Sequence, residues 1–218
     1  MDRRNLLALL GLSQATDAAG QNTVRLPPPR TGGPVPLERA LLERRSARTY
    51  SRAALALEDV SQLLWAAQGI TGRGGYRSAP SAGALYPLET FLCAGRVERL
   101  SAGVYKYRPQ AHELLRLAEG DFRDRLAAAA LGQTWIREAP VTVALAAVMN
   151  RITGRYQQRG VRYAWMEAGH AAQNVLLQAT AMGLGAVPVG AFDDRAVQRI
   201  LRMAGEEEPL YLIPAGRR

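Results

Sequence analysis

The chain has 218 residues, enough to bury a core of its own, and its hydrophobic (48%) and charged (22%) shares exclude a wholly disordered or collagen-like chain. Its formal charge of +9 comes almost wholly from arginines spread from Arg3 to Arg218, with Lys106 the single lysine. In the absence of a helix-turn-helix, zinc-finger or RNA-binding aromatic motif, this balance points to a phosphorylated small molecule before a nucleic acid. One cysteine (Cys93) and two histidines (His112, His170) exclude an intrachain disulfide, a cysteine-based metal site and a multi-histidine zinc site.

The N-terminus, "MDRRNLLALLGL", pairs two arginines with an apolar run. It is similar to a twin-arginine export signal, but the run is far too short to span a membrane. The reading favoured is a short amphipathic helix on a cytoplasmic protein, with export as the alternative. "RLPPPRTGGPVP" (25–36) reads as a Pro/Gly linker, because each proline fixes its own φ and biases its predecessor toward extended backbone. It separates an N-terminal arm, 1–36, from a domain, 37–218.

Within the domain, "PLERALLERRS" reads as a first helix. "LEDVSQLLWAAQG" reads as a second, with Leu57, Val60, Leu64 and Ala67 on one face and Gly69 as C-cap. After a loop (69–87), "LETFLCAG" is a strand in which Cys93 is a packed core thiol. "GVYKYRP" and "HELLRLA" form a hairpin turned at "RPQAH". "DFRDRLAAAALG" is a helix begun by Asp121 and ended by Gly132. "PVTVALAAVM" is apolar throughout, hence a central strand buried on both faces. "YAWMEAGHAAQNVLLQATAMG" is the longest helix, apolar nearly all round, as suits a core or a subunit interface. "GAVPVGAF" is a short strand end, "DDRAVQRILRM" a helix and "LYLIPAG" the last strand. Strands and helices mix without strict alternation, so the class is α+β.

Several stretches could carry chemistry. "RRSARTY" sets Arg44, Arg45, Ser46 and Arg48 at a helix end. Their guanidinium forks match phosphate oxygens, though arginines there also complement a helix dipole. "RSAPSAGALYP" is too small-sided to pack, so it is either plain connection or a surface on which a ligand meets main chain; it has neither a Walker nor a GxGxxG pattern. "MGLGAVPVGAFDD" runs through Pro188, the mark of an edge or bulge, into Gly190, which permits close backbone approach. Glu167, His170 and Asn174 share one side of the long helix. Without a second Glu-x-x-His pair they read as satisfied polar residues in a buried interface rather than a metal site.

In their order, "RRSARTY", "APSAGALYPLE", "RYAWMEAGHAAQNVLLQATAMGLGAVPVGAFDD" and "LYLIPAGR" resemble the nitroreductase-like FMN-dependent family. Within it they resemble the SagB-type branch, which includes the azoline dehydrogenases of thiazole and oxazole biosynthesis. The likeness runs from about Leu37 to Arg217. It implies an α+β sandwich, a mostly antiparallel central sheet flanked by helices, with FMN at a homodimer interface. It also implies that Arg44, Ser46 and Arg48 hold the FMN phosphate and ribityl chain and that Arg217 closes on the phosphate. Pro80, Ser81, Ala82 and Gly83 would lie against the flavin ring from the partner subunit. Gln133 would bond the pyrimidine edge, and Gly190 and Ala191 would bring N–H groups to N5 and O4.

The activity implied is hydride transfer by turns, from NADH or NADPH through FMN to a small nitro, quinone or enone acceptor. The alternatives are azoline formation in peptides and a non-catalytic flavin-binding protein. One departure concerns the Lys-Tyr pair that serves the azoline dehydrogenases as base. Arg155 and Tyr156 stand in its place here, and an arginine stays protonated at working pH.

Overall fold

The computed structural model describes residues 22–218; the export-signal reading falls on residues outside these. In chain order the elements are β1 (Thr23–Arg25), α1 (Leu37–Glu43), α2 (Leu57–Gln68), β2 (Leu88–Ala94), β3 (Gly103–Arg108), β4 (Glu113–Glu119), α3 (Arg123–Ala129), α4 (Thr134–Glu138), β5 (Val141–Val148), α5 (Met149–Tyr156), α6 (Arg159–Ala181), β6 (Leu184–Ala186), α7 (Asp194–Ile200) and β7 (Glu207–Arg217). The strands form one open sheet in the order β1-β4-β3-β2-β5-β7-β6, antiparallel at every neighbouring pair. The α+β class and antiparallel sheet expected from the sequence are those observed.

Strand β5 shows why the sheet sits where it does. All eight of its residues are buried. Successive side chains point to opposite faces, so Val141, Val143, Leu145 and Ala147 enter the core shared with α2 and α6. Ala144 and Ala146 enter a second core with Leu126 of α3, Ile136 of α4 and Val197 and Ile200 of α7. Each fully buried Val or Leu contributes roughly 1.5–3 kcal/mol by leaving water. The two cores fix the helices on the two faces and leave the sheet edges for other work.

Helix α2 buries the predicted face Leu57, Val60, Leu64 and Ala67. Gly69 caps it through its N–H to the Trp65 carbonyl (2.7 Å), but not in the left-handed conformation that usually selects glycine there: its φ is −65°. The reason for glycine is space, since a Cβ would fall 2.2 Å from Trp65 Cδ1.

The arm read as 1–36 is, in its described part, attached to the body. Thr23–Arg25 add an antiparallel edge strand to β4, and Leu26 is buried. Polar side chains of α2 then clasp the proline-rich stretch. Ser61 Oγ donates to the Pro27 carbonyl (2.6 Å), and Gln62 accepts from Arg30 N (2.8 Å) and donates to Arg30 O (3.1 Å). His112 completes this joint, its Nε2 2.9 Å from the Pro27 carbonyl and its Nδ1 2.9 Å from the Tyr107 hydroxyl. A carbonyl can only accept, so Nε2 carries the proton and Nδ1 accepts from Tyr107. Burial lowers the His112 pKa, which keeps the ring neutral for this role. Among the described residues no helix is long and apolar enough to cross a membrane.

Candidate functional site

The loop "RSAPSAGALYP" packs on α6, whose polar residues hold its main chain. Asn174 Nδ2 donates to Ser78 O (3.2 Å), and on the same face of the helix, two turns earlier, Glu167 Oε1 accepts from Ala82 N (2.8 Å). Inside the loop, Tyr86 N donates to Ser81 Oγ (2.8 Å) around a single 3-10 turn at Ala82–Ala84. The backbone is left-handed at Gly83 (φ 61°), Ala84 (φ 54°) and Tyr86 (φ 47°). Arg77 fixes the start, stacking on the Tyr86 ring (4.6 Å) and donating to Gln68 Oε1 (2.8 Å).

Glu167 is buried, and burial raises its pKa, with hydrogen bonds from Ala82 N and Ser81 pulling the other way. Pro80 and Gly83 remain exposed, Ser81 and Ala82 half-buried. The turn also meets the end of α5: a Cβ on Gly83 would lie 2.9 Å from Tyr156 Oη and 3.1 Å from Arg155 Nη1. The four loop residues named from sequence and the Arg155–Tyr156 pair therefore share one place.

The remaining predicted residues other than Arg217 gather at the β6 edge of the sheet. Ser46 forms a parallel bridge with Ala186, and Ala47 N donates to Ala186 O (3.1 Å). This close approach depends on Gly185, where a Cβ would fall 2.6 Å from Ala47 Cβ. Arg44 ends α1 through its own N–H to Ala40 O (2.9 Å). Arg48 lies over the ring of Trp135 in α4 (5.6 Å), whose indole N–H is buried without an acceptor. Gln133, just before α4, donates to Ala130 O (2.8 Å) and Ala191 O (2.9 Å), which ties it to the exposed Gly190–Ala191 turn and leaves its own carbonyl free of these bonds. Pro188 falls in the gap between β6 and the Val189–Leu212 bridge, at the sheet edge as the sequence suggested.

Arg217 reaches Asp59 of α2 (3.2 Å), while Arg218 is the tail arginine beside Ala47, its Nε 3.2 Å from where a Gly185 Cβ would be. Arg48 and Arg218 also both lie near the Tyr50 phenol, whose single O–H is shared between Ala47 O (2.8 Å) and Pro214 O (3.1 Å). Burial pushes that phenol well above its ordinary value, against the pull of the two guanidiniums. The edge thus presents the exposed Ser46 hydroxyl and a set of guanidiniums that suit an anion.

Sequence reasoning did not name Arg218, and it read Glu167 and Asn174 as ordinary buried polar residues. Their spacing on one helix face was visible; that they face the main chain of the loop 77–87 was not. The cavities lined by Trp65, the largest about 560 Å³, include none of the predicted residues. Those residues are instead spread over two open surfaces, one at the β6 edge and one where the loop meets α5 and α6.

The chain matches the model of the Nitroreductase family over residues 41–217. The chain belongs to the nitroreductase family of oxidoreductases. It is 45% identical over 184 residues to MJ1384 of Methanocaldococcus jannaschii, which carries a provisional nitroreductase name; the match covers 84% of this chain and 92% of that one. It is also similar to the trifolitoxin operon protein TfxC of Rhizobium leguminosarum bv. trifolii (27% over 192 residues; 81% of this chain, 54% of TfxC) and to the microcin B17-processing protein McbC of Escherichia coli (33% over 113 residues; 50% of this chain, 42% of McbC). Among solved structures, a provisionally named nitroreductase from Ralstonia eutropha superposes with a TM-score of 0.79 at 30% identity, covering 90% of this chain and 89% of that one.

Proposed function

We propose that the protein is an FMN-dependent oxidoreductase that works as a homodimer, moving a hydride from NADH or NADPH to a small nitro, quinone or enone acceptor. The observation that supports this reading is the proximity of Arg44, Ser46, Arg48, Gln133 and Ala191 along one edge of the sheet, with Arg218 beside Gly185 there. Their chemistry fits the group: guanidiniums and a hydroxyl for the phosphate and ribityl chain, and the Gln133 carbonyl for a ring N–H. The Gly190–Ala191 main chain suits the other edge of the ring. Arg217 is assigned here to the Asp59 ion pair, with Arg218 taking the place expected of it at the phosphate. When bound, FMN supplies a ring that takes up a hydride, two electrons with one proton, from the nicotinamide and passes it on, a proton from water completing the acceptor's reduction.

The loop Pro80–Gly83 lies on a separate surface of the same chain, so one chain alone offers half of each site. The dimer supplies the other half. Helices α1 and α6 present Leu37, Leu41, Leu42, Trp165 and Met166 to solvent, each more than half exposed, an apolar set that a partner copy would cover. Trp165→Arg is expected to give a monomer by light scattering with weakened FMN retention; a monomeric wild-type chain that holds FMN would refute the shared site.

A second reading has support in the likeness to TfxC and McbC: azoline oxidation, in which the flavin accepts electrons from a peptide ring and oxygen reoxidises it. Against it stands Arg155, which cannot serve as a base. The two readings part in one experiment. The purified yellow protein is mixed anaerobically with NADH and with NADPH. Bleaching by either supports the reductase; a flavin that neither bleaches points to the azoline dehydrogenase or to flavin storage. A colourless chain that cannot be loaded with FMN would sink all three.

A further inference from the structure

Residues 151–162, "RITGRYQQRGVR", carry four arginines and no acid. They span the end of α5 and the start of α6, whose first turn also lacks an acid. Arg151 is engaged: it pairs with Glu89 (2.6 Å) and reaches the Tyr86 carbonyl (3.4 Å). Arg155 has no such acid among the described residues. Its guanidinium lies along the face of its neighbour Tyr156 (5.6 Å), whose ring packs edge-on against Tyr163 (5.2 Å). That packing pins the phenol, and both polar ends then arrive beside Gly83, at an exposed and side-chain-free point of the loop. The nearby carboxylates are occupied: Glu167 by Ala82 N, Glu89 and Glu207 by Lys106 and, for Glu89, Arg151.

We infer that Arg155 and Tyr156 form an anion subsite that takes a carboxylate of the acceptor, so that carboxylate-bearing acceptors are the preferred class. The assignment rests on the reductase reading for its place in turnover. A planar guanidinium fork and one phenolic O–H offer the two or three donors that a two-oxygen planar anion can use. Glycine at position 83 lets both donors close onto the turn, where any side chain would meet them; Arg155 is exposed and Tyr156 half-buried, so the anion is taken from their outer, solvent-facing side. The same arginine that makes the pair unfit as a base makes it fit to bind a charge, because it stays ionised at every working pH.

The test is calorimetric titration of the full chain, as purified, with benzoate, benzamide and inorganic phosphate, which needs no turnover. Benzoate is expected to bind at least about tenfold tighter than benzamide, with Arg155→Gln abolishing that preference and Arg155→Lys, which keeps charge but loses the fork, restoring part of it. Tyr156→Phe should weaken benzoate by about three- to tenfold and leave benzamide unchanged. Equal binding of benzoate and benzamide, an unaffected Arg155→Gln variant, or displacement of benzoate by phosphate at equal concentration would each overturn the subsite. In turnover, the kcat/KM ratio of 4-nitrobenzoate to its methyl ester should fall toward one in Arg155→Gln. If neither compound is reduced while benzoate binding still depends on Arg155, the reductase reading fails and the subsite stands.

Discussion

Replacing Glu167 separates the two things its carboxyl does: accept a hydrogen bond and carry a charge. The Ala82 N–H donates to Glu167 Oε1 (2.8 Å) in a partly buried setting. Glu167→Ala leaves that donor without its acceptor, at a cost of about 1–3 kcal/mol. For a chain of this size that corresponds to a fall in Tm of roughly 2–4 °C per kcal/mol, so of about 4–8 °C at the middle of the range. Glu167→Gln keeps an acceptor oxygen and removes the charge. Burial, the largest cause, raises the Glu167 pKa in the folded state, so the native chain binds the proton more tightly than the unfolded one. Stability from this group is therefore fully present below the unfolded carboxyl value and falls as pH rises through the raised folded value. Glu167→Gln should match the wild type at low pH and equal or exceed its Tm at neutral pH, with a flatter dependence between. The assay is a thermal melt from pH 4.5 to 8 at fixed protein and cofactor concentration, since a bound ligand or partner also moves Tm. If Gln loses as much as Ala at every pH, the charge itself holds the loop and the argument from the acceptor is wrong.

Three further outcomes are expected. Arg48→Ala should weaken FMN binding by about 1.5–3 kcal/mol, or some 10- to 150-fold, read by fluorescence titration; an unchanged affinity would place the phosphate elsewhere. Gly185→Ala would drive a Cβ to 2.6 Å from Ala47 Cβ; overpacking of about 1–3 kcal/mol should lower Tm and, by pushing the Ser46–Ala47 strand off β6, weaken FMN as well. If Tm drops while FMN affinity holds, the bridge to β6 does not position Arg44 and Arg48. Cys93 is buried and its thiol pKa is pushed up to about 12, chiefly by desolvation. It should resist a thiol reagent at neutral pH in the native chain and react on unfolding; rapid native labelling would contradict the packing of β2.

How much of this was legible in the sequence depended on range. Strand β5 declared itself by an unbroken apolar run, and α2 by a face repeating at Leu57, Val60, Leu64 and Ala67, because burial leaves a local period. Helix α4 has five residues, too few for a period to show. Helix α5 was hidden behind Met149, which extends the apolar run of β5 by one residue and so disguised the turn into a helix. Strand β1 was masked by the prolines after it; its pairing with β4 is 90 residues distant in sequence and is decided by Ser61, Gln62 and His112 clasping Pro27 and Arg30. At the site, the motif order singled out the stretches that meet at the sheet edge and at the loop, while which tail arginine faces Ala47 turned on how the chain leaves β7, a tertiary matter rather than one of composition. Glu167 and Asn174 were seen as neighbours on a helix, but what they face is a tertiary fact.

That tertiary fact explains how "RSAPSAGALYP" can be both poor in packing and fixed in shape. Ala84 and Tyr86 sit in the left-handed region, where each non-glycine residue costs roughly 1–2 kcal/mol, or about 2–4 together. The three hydrogen bonds that Asn174 donates and that Glu167 and Ser81 accept contribute about 0.5–1.5 kcal/mol each, or roughly 1.5–4.5 together. The two sums are of one size, so the loop can hold its strained turn before anything lies on it. A ligand that meets a surface already in its bound shape does not spend affinity on ordering it. The small side chains then follow from the geometry. Pro80 and Gly83 stay exposed while Glu167 and Asn174 of α6 hold the main chain from the other side, which leaves the outer side of the loop open with Arg155 and Tyr156 beside it.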